Sequence, residues 1–199
     1  MGEHVRVAIA HDYLTQRGGA ERVVLAMARA FPDAPIYTTL YNADETFPEF
    51  GRLDARPSWL NRFRYFRRHH RASLPLLPGV VRSMTIDADV VLASSSGWAH
   101  GVTSTGQKLV YCYTPARWLH QQPRYLGDHS SRGTKVALKL LSPWLRRWDF
   151  KAAHTASDYV TVSSVVQDRV HSVYGLPSLV VPAPRPNTDT CPSEPMPEV

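Results

Sequence analysis

Cysteine is nearly missing from this chain of 199 residues: Cys112 lies inside a strand-like run and Cys191 in a proline-rich tail, and there are no others. That pair builds no disulfide framework and no metal-ligand spacing, and a reducing cytoplasm is the expected location. Long apolar runs are missing as well, so no segment reads as a membrane span, and Met1-Gly2-Glu3-His4 opens no signal-peptide pattern. The dinucleotide fingerprint G-x-G-x-x-G is absent, and no glycine turn ends in Gly-Lys-Ser/Thr, which excludes a P-loop. The serines Ser94 to Ser96 lack the G-x-S-x-G elbow that would expose a hydrolase nucleophile. His69-His70 sits among arginines, which repel a metal cation, so neither a metal site nor a bound cofactor is expected.

What the chain does hold is the composition of a water-soluble globular protein, with 43% hydrophobic residues and a mean hydropathy of −0.28. Its length can bury one good core, with little left for a second domain. Near the N-terminus, Val5-Arg6-Val7-Ala8-Ile9-Ala10 reads as a buried strand ending in His11-Asp12. Ala20, Val23, Val24, Met27 and Phe31 then recur at helical spacing until Pro32. Between them runs Gln16-Arg17-Gly18-Gly19-Ala20-Glu21-Arg22. Residues without Cβ let backbone N–H groups approach an anion, and a helix start adds partial positive charge, so the motif reads as a phosphate cradle. Adjacent glycines also make a plain tight turn, and the motif alone leaves both readings open.

Further along, strands and helices alternate. Residues 35–40, 89–93, 108–112, 159–162 and 179–181 read as strands. A helical stretch runs from about Thr134 to Ser157, with Pro143 expected to interrupt or restart it, and Ser164 is expected to cap a helix closed by Gly175. Continuous apolar strands separated by helices predict an α/β, Rossmann-like, mostly parallel sheet with helices on both faces. In such sheets ligands sit outside the carboxyl ends of the strands. Those ends here are polar: His11-Asp12, Ser94 to Gly101, Tyr113 to Arg117, and Ser163-Ser164. Hydroxyl, imidazole and guanidinium groups of this kind suit a polyhydroxylated, phosphate-bearing ligand. Asp87-Ala88-Asp89 has the D-x-D form of a metal site but precedes its strand, and so points to the opposite edge.

Charge is concentrated in one segment. Between Arg52 and Arg71 seven arginines face one acid, Asp54, and this stretch alone carries as much charge as the whole chain's net +6. Aromatic and basic residues interleave from Trp59 to Arg71. Such a helix either lies on an anionic membrane surface through Arg62, Arg64, Arg67, Arg68 and Arg71, or is a solvated helix docked by Leu60, Phe63 and Phe66. A single patch on an otherwise balanced chain gives thin support for nucleic acid, which is not an expected partner.

The motifs H-D-Y-L-T-x-x-G-G-A-E-R, D-V-V-L-A-S-S-S-G-W-A-H-G, Y-C-Y-T-P-A-R-W-L and V-S-S-V-V-Q-D-R-V-x-x-V-Y-G follow one another over nearly the whole chain. In that order they resemble the N-terminal domain of family-4 retaining glycosyltransferases of the GT-B fold. The resemblance implies transfer of a sugar from a nucleotide-diphosphate sugar to a saccharide or lipid-linked glycan acceptor. Gly18, Gly19 and Arg117 would meet the donor diphosphate, His11, Asp12, Ser95 and Ser96 the acceptor, and Tyr113 and His100 the transferred sugar. Family members usually carry histidine where Tyr113 stands, and tyrosine donates a hydrogen bond without becoming cationic. Residues 1–181 are expected to form the acceptor-side domain. Residues 182–199, with six prolines, read as an interdomain linker or a disordered tail, with the C-terminal donor domain missing and the chain inactive by itself. The alternative is a non-catalytic acceptor-binding subunit, or a degenerate remnant, that needs a separate nucleotide-binding partner. The expected location is the cytoplasm, at the inner face of the plasma membrane if the arginines meet lipid.

Overall fold

Strand β1, Val7–His11, runs through the middle of the sheet, and its residues are apolar towards both faces. Ala8 and Ala10 enter one core and Ile9 the other, the pattern a parallel strand needs when it is covered on both sides. The computed structural model describes residues 5–69, 73–74, 76–120 and 132–184, leaving aside the side chains of 118 and 132–139. After β1 come α1 (Gly19–Ala30), β2 (Ile36–Thr38), a 3₁₀ turn at Pro48–Arg52 and β3 (Ala55–Pro57). A second 3₁₀ turn, Trp59–Arg62, leads to α2 (Arg64–Arg68), α3 (Leu77–Arg82), β4 (Thr85–Ile86) and β5 (Val90–Ser95). A third, Ala99–Gly101, precedes β6 (Thr103–Ser104) and β7 (Gln107–Cys112). The remaining elements are α4 (Arg117–His120), α5 (Arg132–Ala153), β8 (Asp158–Thr161), α6 (Ser164–Tyr174) and β9 (Leu179–Val180).

Seven strands form one parallel sheet in the order β3-β2-β1-β5-β7-β8-β9, and β4 and β6 make a separate parallel pair. Helix α1 closes one face: Val24, Leu25 and Ala28 pack with Ile9, Ile36 and Phe50. The other face carries the larger core, in which Leu60, Leu77, Val80, Leu119, Leu145, Val170 and Tyr174 cover Ala8, Ala10, Val91, Ala93 and Val110. The expected Rossmann-like architecture is therefore the observed one. Strand order reverses beside β1, with β2 and β3 extending to one side and β5, β7, β8 and β9 to the other.

Local expectations needed several corrections. Strand β3 was hidden in the basic segment because Ala55-Arg56-Pro57 is an edge strand with exposed residues and no apolar run to mark it. Helix α5 continues through Pro143, which lies exposed on the helix and forgoes one backbone hydrogen bond, and ends at Ala153. The cap of α6 is Ser163, whose Oγ accepts from the Val166 N–H at 3.4 Å, one residue earlier than expected. Gly175 closes that helix at φ +70°, a left-handed conformation that favours glycine. In the basic segment Leu60 is buried and Phe66 packs on the core, but Phe63 is 52% exposed and does not dock. A short α-helix and a 3₁₀ turn replace the single long helix, and Arg71 lies outside the described residues.

One buried carboxylate ties the larger core together. Asp149, on α5, accepts from Tyr174 Oη at 2.9 Å, lies 2.9 Å from His120 Nε2 and has His100 Nε2 3.1 Å from its other oxygen. Burial disfavours its ionised form, yet the hydrogen bonds and charge of His100 and His120 outweigh that and hold its pKa down at about 2, against 3.8. A carboxylate whose folded pKa is depressed contributes stability that is full above the unfolded value and lost as pH falls through the folded one. Asp149→Asn should therefore cost about 3 kcal/mol near neutrality. The difference from wild type should shrink between about pH 4 and pH 2, as read by urea denaturation across that range.

Candidate functional site

Strand order reverses between β1 and β5, and open α/β sheets bind ligands in the crevice outside the carboxyl ends of the strands at such a point. His11 and Ser94, the last two paired residues of these strands, face each other there, with His11 Nδ1 3.1 Å from the Ser94 carbonyl oxygen and 3.0 Å from its Oγ. Ser94 Oγ is in turn 3.0 Å from Tyr113 Oη, just beyond β7. Tyr113 donates to the Ala20 carbonyl in the first turn of α1 at 3.2 Å. Burial pushes the Tyr113 hydroxyl well above its ordinary pKa, further than the Ser94 hydrogen bond lowers it, so it acts as a neutral donor and not as a base.

The glycine turn meets this chain of contacts through Glu21. Gly18 N–H donates to Glu21 Oε2 at 2.9 Å, and the other carboxylate oxygen lies 3.8 Å from His11 Nε2. Burial raises the Glu21 carboxyl pKa, but His11, with smaller help from backbone N–H and Gln16, brings it below the usual range. Two consequences separate the glycines. The Gly18 N–H is already taken, and a Cβ at Gly18 would stand 2.5 Å from Glu21 Oε2; a Cβ at Gly19 would meet nothing within 4 Å. The N–H groups free to face an anion are those of the first helical turn, beginning at Gly19.

Asp12 holds the loop that walls the crevice. One carboxylate oxygen accepts from Ser96 N–H at 2.6 Å and Ser96 Oγ at 2.8 Å, and the other from Trp98 N–H at 3.0 Å and Ala99 N–H at 2.7 Å. The Asp12 carbonyl also accepts from the Trp98 indole at 3.2 Å and from the Thr39 hydroxyl. With its acceptor positions filled, Asp12 shapes the site and does not reach into it, and Ser96 is committed to the same contact. Ser95 and His100 lie deeper: Ser95 Oγ is 3.2 Å from His100 Nδ1, and the far side of that ring faces Asp149. His100 and His11 are equally buried, each 3% exposed, and it is the contacts of His100 with Ser95 and Asp149 that group it with the core network and not with His11 and Tyr113. Arg117 starts α4 with its side chain exposed.

Glu21 was missed as a site residue, although an acid three positions after the turn glycine is a legible helix-start signal, and Ser94 was legible only as part of a polar strand end. Asp149 carried a weaker one, a lone acid between Trp148 and Phe150 in a helical stretch. The buried thiol of Cys112 is pushed up in pKa by desolvation, which keeps it protonated. Among the described residues no three His, Cys, Asp or Glu side chains converge as a metal site, and no helix is long and apolar enough to cross a membrane.

A family model, Glycosyltransferase Family 4, matches residues 17–185, from the glycine turn through the last strand. The chain belongs to glycosyltransferase family 4. No curated protein sequence matches it. Family membership fits the parallel sheet and the crevice, and it makes sugar transfer the chemistry for which this family-4 domain is built.

The loop anchor gives a direct test. In Asp12→Asn an amide N–H₂ replaces one acceptor oxygen and opposes backbone donors, so the variant should lose about 2 kcal/mol of stability. Amide exchange should accelerate at Ser96, Trp98 and Ala99 before it does in β1. An unchanged denaturation midpoint with unchanged exchange would remove Asp12 from this role.

Proposed function

We propose that this domain forms the acceptor-side wall of a retaining transferase that moves a sugar from a nucleotide-diphosphate donor to a saccharide or lipid-linked glycan acceptor. The observation that carries the proposal is the meeting of His11, Glu21, Ser94 and Tyr113, from four parts of the chain, at the point of strand-order reversal in a family-4 domain. A nucleotide-gripping domain across the crevice would complete the site. As the bond from sugar to diphosphate breaks, the sugar gains oxocarbenium character and the leaving group gains negative charge. The N–H groups of the first turn of α1 and the Arg117 guanidinium would stabilise that charge, while Tyr113, whose one O–H is given to the Ala20 carbonyl, would hold the start of α1 in place and could meet the sugar only as an acceptor. Asp12 is saturated by backbone donors and Glu21 is held by Gly18 and His11, so neither is set as a covalent nucleophile. This supports transfer without a glycosyl-enzyme intermediate.

Membrane attachment belongs to the same proposal. Trp59, Phe63 and Tyr65 are 51%, 52% and 62% exposed and stand among Arg62, Arg64, Arg67 and Arg68, an apolar and basic mixture that suits an anionic bilayer surface holding a lipid-linked acceptor.

Gly19→Val tests the donor contact. Its Cβ meets no atom of this domain, so the thermal midpoint should stay within a few degrees of wild type. Donor affinity of the catalytically competent enzyme should fall on the order of tenfold as the branched side chain blocks the diphosphate. Normal affinity in a folded variant would refute the cradle. For the surface, replacing Arg62, Arg64, Arg67 and Arg68 by glutamine should abolish salt-sensitive co-sedimentation with anionic vesicles, at about 1 kcal/mol per charge.

A further inference from the structure

Away from the crevice, a second cavity of about 500 Å³ opens at the opposite edge of the sheet, beside the amino end of β7. The length of β7 puts it roughly 15 Å from the Ser94 and Tyr113 contacts. Its floor is Lys108, only 3% exposed, and its rim carries the exposed side chains of Arg82 and Lys151. Among the described residues no carboxylate lines it. The Lys108 ammonium donates to the carbonyl oxygens of His100 at 2.6 Å and Val102 at 3.0 Å and to Thr155 Oγ1 at 2.6 Å. These neutral oxygens satisfy its donors but leave its charge unbalanced, and desolvation lowers its pKa to about 8 with no acid to oppose it. Arg82 and Lys151 form no ion pair with any described residue. The Thr103 and Ser104 hydroxyls donate to the Arg82 and Gly106 carbonyls, so the attraction for a ligand comes from the cations. One wall is apolar, formed by Trp148 with Val102 and Ala152.

Three cations around one concave space, where the described residues place no acid, create a positive potential that a compact anion would neutralise. We propose that this cavity binds a phosphate group, gripped at the rim by the Arg82 guanidinium and the Lys151 ammonium, with the remainder of the ligand lying against Trp148. The phosphate is carried either by a small soluble phosphorylated compound or by a lipid headgroup. The site is separate from the sugar-transfer crevice and does not depend on the reading given to that crevice. Its floor, Lys108, nevertheless donates to the His100 carbonyl, at the far end of the loop that Asp12 anchors.

The test is titration of the full chain with inorganic phosphate, followed through the Trp148 indole N–H resonance, which is assigned from its loss in Trp148→Phe. Phosphate should shift that resonance saturably, and sodium chloride at matched ionic strength should not. Arg82→Gln with Lys151→Gln, both at exposed positions, should keep the wild-type thermal midpoint and weaken phosphate binding about tenfold or more. A parallel titration with dihexanoylphosphatidic acid below its micelle concentration distinguishes the sources. Binding tighter than phosphate, and lost in the double variant, assigns a lipid headgroup; binding no tighter assigns a soluble phosphorylated compound. No saturable shift with phosphate, an equal shift with chloride, or unchanged affinity in the folded double variant overturns the proposal.

Discussion

The Asp12 carboxylate, receiving Ser96, Trp98 and Ala99 across more than eighty residues of sequence, fixes the geometry on which the crevice depends. Without it the segment after β5 would leave polar backbone groups unpaired beside a buried indole, a cost larger than that of most surface contacts. A carboxylate meets this need because it only accepts, and a loop turning back on itself presents donors on its inner side. Asp12 directly follows β1, so the loop is registered to the central strand. The His11 and Ser94 contact inherits that registration.

The same loop is held from behind by a second acid. His100, at its far end, faces Ser95 on one side of its ring and Asp149 on the other, and its carbonyl takes a hydrogen bond from Lys108. The loop is thus pinned between the sheet and helix α5, and Gly101 lets the Trp148 ring lie where any Cβ would stand 2.6 Å from it. Buried polar groups of this sort are worth having only when each finds partners, and here they set one arrangement of the crevice wall among many.

Polar groups in the crevice itself are arranged differently. His11 and Glu21 sit close enough to share charge, and Tyr113 links the end of β7 to the first turn of α1. A phenol in that position ties two elements together and remains neutral. Gly18 and Gly19, adjacent in sequence, have different surroundings: the first is closed by the Glu21 carboxylate and the second is open.

The sequence by itself determined the layered α/β fold, the polar strand ends and the family, because apolar runs such as Val90 to Ala93 and the cap at Gly175 act over a few residues. Edge strand β3 and the uninterrupted helix through Pro143 were not legible, since pairing with β2 and an exposed helix face decide them and neither leaves a local pattern. Which polar strand ends become a site was decided only by the tertiary structure. His11, Ser94 and Tyr113 meet because strand order reverses beside β1, whereas Asp12, Ser95 and His100 turn inward to satisfy buried donors and charges. Spacing along the chain could not separate these groups, because a hydrogen bond's partner depends on which strand lies next to which.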